Sequence, residues 1–183
     1  CLVADNTEFQ NGGSYGCGVY SSGANLQLVD CLFSNNYGSE HITRGVGLAF
    51  DKGTLTAART EFIGNWGKVN DGGGGAAVYL GNNTATSASF SNCVFRGNTA
   101  IEGSSAGYGG AMWAYMAAAA TARVVNCTFT DNVHNGGNGG AIYLSNGTLV
   151  LKNSILWTNA VGDGYTGSEI YRAGGTLIVD YCD

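Results

Sequence analysis

The side chains of this 183-residue sequence from which a reaction centre could be built are six cysteines, 13 carboxylates and two histidines. Six Cys in a small secreted domain suggest a disulfide framework. Five of them, however (Cys1, Cys31, Cys93, Cys127 and Cys182), fall at one position of a repeat, where they read as small buried hydrophobes. Only Cys17 stands outside that column. No Cys-x-x-Cys pair and no Cys/His spacing suits zinc, so the reading includes neither metal nor cofactor. A polysaccharide hydrolase needs paired carboxylates, and a lyase needs carboxylates gathered for calcium beside an Arg or Lys base, whereas the acidic residues here scatter. Asp30 and Arg59 share a bend column with Glu61 close by, an arrangement that predicts a surface salt bridge. His41 and His134 lie in a variable loop, where solvated side chains are expected, and no Ser/His/Asp set falls on matching positions. Asp71-Gly72-Gly73-Gly74-Gly75 and Asp163-Gly164 lack the nonapeptide calcium repeat and any phosphate-loop Lys, and read as turns.

The elements that must position these residues form an internal repeat. Its copies start at Cys1, Cys31, Thr60, Cys93, Cys127, Ser154 and Cys182, with successive spacings of 30, 29, 33, 34, 27 and 28. A period in this range indicates a solenoid. An Asn stands five residues after each of the first six starts, giving the column Asn6, Asn36, Asn65, Asn98, Asn132 and Asn159. Asn tolerates the left-handed backbone, so this column is expected to turn the chain and to form a hydrogen-bonded ladder between coils about 4.8 Å apart. The apolar residue three before it (Val3, Phe33, Phe62, Phe95, Phe129, Leu156) should point into the core.

A second motif follows, of the form Gly139-Gly140-Ala141-Ile142-Tyr143. In its last copy Glu169 shares parity with Tyr171, and a lone Glu is rarely buried. The parity predicts that Val19, Leu48, Val78, Met112, Ile142 and Ile170 face in, and that Tyr20, Tyr79, Trp113, Tyr143 and Tyr171 face out, with Ala49 as a gap. That aromatic column is a candidate sugar-stacking platform, or a set of rings that cover neighbouring loops and one another. A third strand (Leu26 to Leu28, Thr148 to Leu151 and their equivalents) leads to the next repeat, with Leu149 and Leu151 facing in. Two adjacent long connections, carrying Asn82-Asn83-Thr84 and Tyr115 to Ala120, are expected to form one protrusion, as loop rather than helix. Leu2, Leu32, Val94, Ile155 and Trp157 on the outer face of the first strand form a candidate association face; β-propensity alone also accounts for several of them.

Three short strands per coil, in about six coils, describe an all-β, right-handed parallel β-helix over residues 1–183. A leucine-rich horseshoe would need a different leucine spacing and helices, and a propeller blade about 40 residues. Composition agrees: 31 Gly, no Pro and 11% charged residues fit short strands and tight turns. No 18-residue apolar run is present to span a membrane. A net charge of −5 without a basic stripe argues against a nucleic-acid partner. The chain starts and stops in one column without a polar cap, which suggests a segment of a longer solenoid or end-to-end stacking. Neighbouring column cysteines are expected as free thiols, because side chains pointing the same way in parallel strands fit a disulfide poorly.

The pairing of Cys127-Thr128-Phe129-Thr130-Asp131-Asn132 with Gly139-Gly140-Ala141-Ile142-Tyr143 resembles the repeats of chlamydial-type polymorphic outer-membrane proteins. The stretch from Asn153 to Asn159, Glu169-Ile170-Tyr171, and Gly174 to Asp183 resembles the closing coils of bacterial choice-of-anchor β-helix surface proteins. The resemblance implies a bacterial, extracellular or cell-surface setting. It implies a structural or adhesive role, with self-association or other surface proteins as partners. A carbohydrate-binding or carbohydrate-active β-helix and a phage tail-spike-like element are the alternatives.

Overall fold

The structure is a computed structural model that describes residues 1–8, 14–38, 43–69, 73–81, 86–102 and 107–183. His41, Asn82-Asn83-Thr84, Asp71 and Gly72 lie outside the described residues. All paired strands are parallel and stack rung upon rung. Leu2 aligns with Leu32, Leu32 with Glu61, Glu61 with Val94, Val94 with Thr128, and Thr128 with Ile155, which are the repeat spacings of the sequence. The molecule is a parallel β-solenoid of about five turns. Among the described residues no helix is long and apolar enough to cross a membrane.

Three long sheets form the walls. The first holds Leu2–Ala4, Leu32–Ser34, Glu61–Ile63, Val94–Arg96, Thr128–Thr130 and Ile155–Trp157. The second starts directly after each ladder Asn and holds Thr7–Glu8, Tyr37–Gly38, Trp66–Val69, Thr99–Glu102, Val133–Asn135 and Ala160–Val161. Sequence pattern gave no sign of this second sheet, because its residues share no common type. The third sheet joins the two remaining repeat motifs. In the first two coils each motif pair is a single strand, Val19–Val29 and Leu48–Ala58; in later coils it is broken by a loop. The expected count of three strands per coil therefore holds with a different division of the chain.

The coil turns at three columns of left-handed residues. One is the residue before the ladder Asn: Asp5, Asn35, Gly64, Gly97, Asp131 and Thr158, all with φ of 53 to 63°. The ladder Asn itself does not adopt this conformation, a correction to the expected turn. The second column precedes each repeat start (Asp30, Arg59, Asn92, Asn126, Asn153, Tyr181), and the third opens the Gly motif (Gly16, Gly45, Gly75, Gly109, Gly139, Gly167).

Each ladder Asn is free to hydrogen-bond because its neighbour takes the turn. Asn65 donates its backbone N–H (3.1 Å) and its side-chain amide (2.9 Å) to Oδ1 of Asn98, and the same amide donates to the Phe33 carbonyl at 3.1 Å. The pattern runs in one direction from Asn6 through Asn159, where the amide donates instead to the Glu169 carboxylate. Beside the ladder Phe33, Phe62, Phe95 and Phe129 stack at 4.9, 5.0 and 4.3 Å, all fully buried.

The position-one column is more specific than a set of small hydrophobes. Cys31, Thr60, Cys93, Cys127, Ser154 and Cys182 each donate S–H or O–H to the carbonyl two residues earlier, across the left-handed residue. Cys127 Sγ and Ser154 Oγ also accept the backbone N–H of the preceding rung's Cys93 and Cys127. A donor on the γ atom is what Cys, Thr and Ser share, which explains their interchange. The neighbouring Cys93 thiol, then burial, push the Cys127 thiol well above its ordinary range. All six cysteines are free, with Cys31, Cys93 and Cys127 buried.

The expected protrusion at Tyr115 to Ala120 does not form. Met116 and Ala120 are buried in the core, and the Ala120 N–H donates to the Ala117 carbonyl to close a turn, so only Ala118 and Ala119 stay exposed beyond Tyr115. Apolar alanines and a methionine gain more from packing on the coil than from standing in water.

Candidate ligand-binding groove

Glu169 does not show which way the Gly motif faces. Its column (Gly18, Gly47, Ala77, Ala111, Ala141) lies at the corner before the strand begins, and Ala77, Ala111 and Ala141 belong to the core together with the following Val78, Met112 and Ile142. Alternation starts one residue later. The expected inward column is therefore correct, and Leu149 and Leu151 also face in, but the premise about Glu169 is not: it points at the ladder, where the last coil leaves room for its carboxylate.

The aromatic column stands outside the core as a cluster of its own, containing Ala49, Tyr79, Trp113 and Tyr143, with Tyr171 packed on it. It is not an open platform. Tyr79, Trp113 and Tyr143 are only 3%, 4% and 8% exposed, and only Tyr20, at 51%, is open. They are covered in part by a second column five residues earlier in each repeat: Tyr15, Arg44, Gly74, Tyr108 and Asn138. These five align rung to rung as a narrow strip of parallel bridges. The two columns face each other across the Gly corner. Tyr15 lies 5.4 Å from Tyr20, and Tyr108 lies 4.8 Å from Trp113 and 4.5 Å from Tyr143, ring centre to ring centre. The constant spacing of five was a sequence signal for this strip. It was hidden by the variety of residue types that occupy it.

Where the aromatic column has its gap at Ala49, the strip supplies Arg44. Its guanidinium sits 5.3, 5.8 and 5.7 Å from the rings of Tyr15, Tyr79 and Trp113, a cation–π arrangement with three faces. Its Nη1 donates to the Tyr15 hydroxyl, and its buried Nε has no acceptor among the described residues. Trp113 stacks on Tyr115 at 5.5 Å and donates its Nε1–H to the Ser145 hydroxyl at 2.7 Å. Arg44, Tyr108, Trp113, Tyr115, Tyr143, Ser145 and Ala173 together line a groove of about 340 Å³. Burial pushes the Tyr79 and Tyr143 phenols up to about 12.

The other sequence candidates lie elsewhere. On the first sheet Leu2, Ile155 and Trp157 are 68%, 48% and 69% exposed, while Leu32 and Val94 are half-buried and Glu61 and Thr128 interrupt the row. A stacked pair on the second sheet, Tyr37 and Trp66 at 4.6 Å, was not anticipated. Asp30 and Arg59 form the expected exposed ion pair, with Nε and Nη2 at 2.7 and 2.9 Å from the two carboxylate oxygens. The Arg59 hydrogen bonds hold the Asp30 carboxyl below its usual range. Contrary to expectation, His134 is fully buried, with Nδ1 at 3.0 Å from the Asn138 carbonyl. Among the described residues no three His, Cys, Asp or Glu side chains gather as a metal site.

A parallel coil with an asparagine ladder and an inward phenylalanine stack defines a class of protein, and comparison with known families agrees. The chain belongs to the right-handed β-helix family, whose model for the right-handed β-helix region matches residues 1–155. No curated protein and no solved structure matched it.

Proposed function

We propose that this chain is a non-enzymatic, extracellular structural or adhesive β-helix of a bacterial cell surface, filament or matrix, with its outer faces as contact surfaces. The observation that carries the reading is the unbroken side-chain ladder from Asn6 to Asn159, which binds every described coil to the next through buried amides. Such a column resists bending and local opening, since each rung is held by hydrogen bonds in a low-dielectric interior. Partners in this reading are other surface proteins or further copies of the chain. Incubation with a panel of polysaccharides should leave chain length and reducing ends unchanged. Release of shortened or unsaturated products would overturn the non-enzymatic assignment.

The second reading is a carbohydrate-binding β-helix, favoured by the groove in which Tyr115 stands 37% exposed beside Tyr108 and Ser145. Aromatic faces stack on the C–H faces of sugar rings, and a small set of polar groups at the edge fixes orientation.

A further inference from the structure

At one end of the outer aromatic cluster two tyrosines meet in the open. Tyr15 is 37% exposed and Tyr20 51% exposed, with ring centres 5.4 Å apart and planes tilted by 39°. Among the described residues they are the one pair of tyrosines in ring contact in which both rings are exposed. Tyr37 and Tyr115 rest instead on tryptophans, Trp66 and Trp113, and the contacts of Tyr79, Tyr108, Tyr143 and Tyr171 involve buried rings. The meeting is built by the backbone. Gly16, left-handed at φ 59°, turns the chain between the two residues. Tyr15 is fixed in the narrow strip beside Arg44, and Tyr20 in the third sheet beside Ala49. The Tyr15 hydroxyl oxygen accepts from Arg44 Nη1, and the guanidinium stands 5.3 Å from the ring centre. Because that oxygen accepts the bond, its own hydrogen stays available to leave.

We propose that Tyr15 and Tyr20 are an oxidative cross-linking site, at which a one-electron oxidant, a haem peroxidase supplied with hydrogen peroxide, joins the two rings as a dityrosine. Each phenol loses one electron from its ring and the proton of its hydroxyl. The two phenoxyl radicals then form a carbon–carbon bond between the positions next to their hydroxyl-bearing carbons. Each of those carbons passes its hydrogen to the oxygen of its own ring, which restores both phenols. In sum two ring C–H bonds break and one C–C bond forms, while one hydrogen peroxide takes up two electrons and two protons and becomes two waters. Bond formation requires the ring centres to close by about 1 Å, within the thermal excursion of an exposed side chain. The product would staple the strip to the third sheet across the Gly16 corner and hold Tyr15 on Arg44. This site goes beyond the structural role proposed above and stands without it, since it requires only that the oxidant reach the surface.

The test treats the folded chain with a haem peroxidase and one equivalent of hydrogen peroxide. At about 10 μM protein, a pair held in contact at millimolar effective concentration or above should give about a hundredfold more intramolecular product than covalent dimer. The expected product fluoresces as dityrosine and runs as a monomer on a denaturing gel. After thiol reduction its intact mass is lower by two hydrogens, and its tandem mass spectra lack backbone fragments between Tyr15 and Tyr20. Tyr20→Phe and Tyr15→Phe each remove a hydroxyl hydrogen that the coupling needs, and each should reduce this product by about tenfold or more. Near-ultraviolet circular dichroism checks that the variants are folded. If Tyr15→Phe fails to fold for want of its Arg44 contact, Tyr20→Phe, at the more exposed ring, decides the question. An unchanged yield in Tyr20→Phe, a cross-link mapped to other tyrosines, covalent dimers in place of the intramolecular product, or no dityrosine at all would overturn the proposal.

Discussion

At the scale of the residue, two columns hold the coil closed. A ladder Asn in the middle of the stack satisfies donors and acceptors on both neighbouring rungs. Asn98→Ala would leave the Asn65 backbone N–H and one of its two side-chain amide hydrogens without an acceptor, and would remove a donor from the Phe62 carbonyl. Each buried orphan costs about 1–3 kcal/mol, so the expected loss is about 4 kcal/mol, measured by denaturant unfolding. Asn6→Ala, at an exposed rung, should cost about 1 kcal/mol or less. In the position-one column Cys93→Ser should be tolerated and Cys93→Ala should cost about 1 kcal/mol, the value of one hydrogen bond. Thiol labelling of the native protein should reach Cys1 rapidly. Cys31, Cys93 and Cys127 should react only after unfolding, when all six are counted. Cys17, half-buried, should lag, because burial and then the Glu8 carboxylate push its thiol up to about 12.

At the scale of the element, the constant parts of the coil are its corners and the variable parts are the connections. The inserted stretch after Trp113 remains on the coil: Met116 is buried in the core against Gly147, where an added Cβ would come within 2.9 Å of Met116 Cβ. The narrow strip that carries Arg44 depends on close backbone approach at Gly74, where an added Cβ would stand 1.9 Å from the Tyr108 carbonyl oxygen. Gly74→Ala is therefore expected to cost about 2–3 kcal/mol, as overpacking does, and to displace Arg44 from the rings. The measurement is the melting temperature together with near-ultraviolet circular dichroism, which reads the Trp113 and Tyr79 environment.

At the scale of the whole molecule, the outer aromatic cluster ties several rungs together and should set the alkaline limit of the fold. An unfolded tyrosine ionises near its ordinary value of 10.0, while burial holds Tyr79 and Tyr143 protonated to about 12. Stability from these two phenols is complete below pH 10 and is lost as pH rises from 10 to about 12, because only the unfolded chain releases the protons in that window. Absorbance titration at 295 nm should show Tyr79 and Tyr143 ionising in a late phase near pH 12. Unfolding should coincide with that late phase. Tyr79→Phe should move the transition to higher pH.

Much of this architecture is legible in the residues alone. Repeat starts, rung spacings, the Asn ladder and the inward Phe and Ile columns follow from periodicity, because a parallel stack forces equivalent positions into contact once the period is known. Sequence did not reveal what depends on who covers whom. The second sheet has no common residue type, since its backbone pairing is indifferent to side chains. The left-handed residue proved to be the neighbour of the ladder Asn, because an Asn that takes the turn cannot also aim its amide along the stack. Burial of His134 depends on space left by Gly137 in the same coil, and the folding back of Met116 on space left by Gly147 in the next. The aromatic column could be read as outward-facing from its motif, but only the tertiary structure placed Tyr108, Arg44 and Tyr15 over it. That placement turned a row of rings into a groove with one charge: side chains five residues apart in sequence meet there only because the chain turns at a left-handed glycine between them.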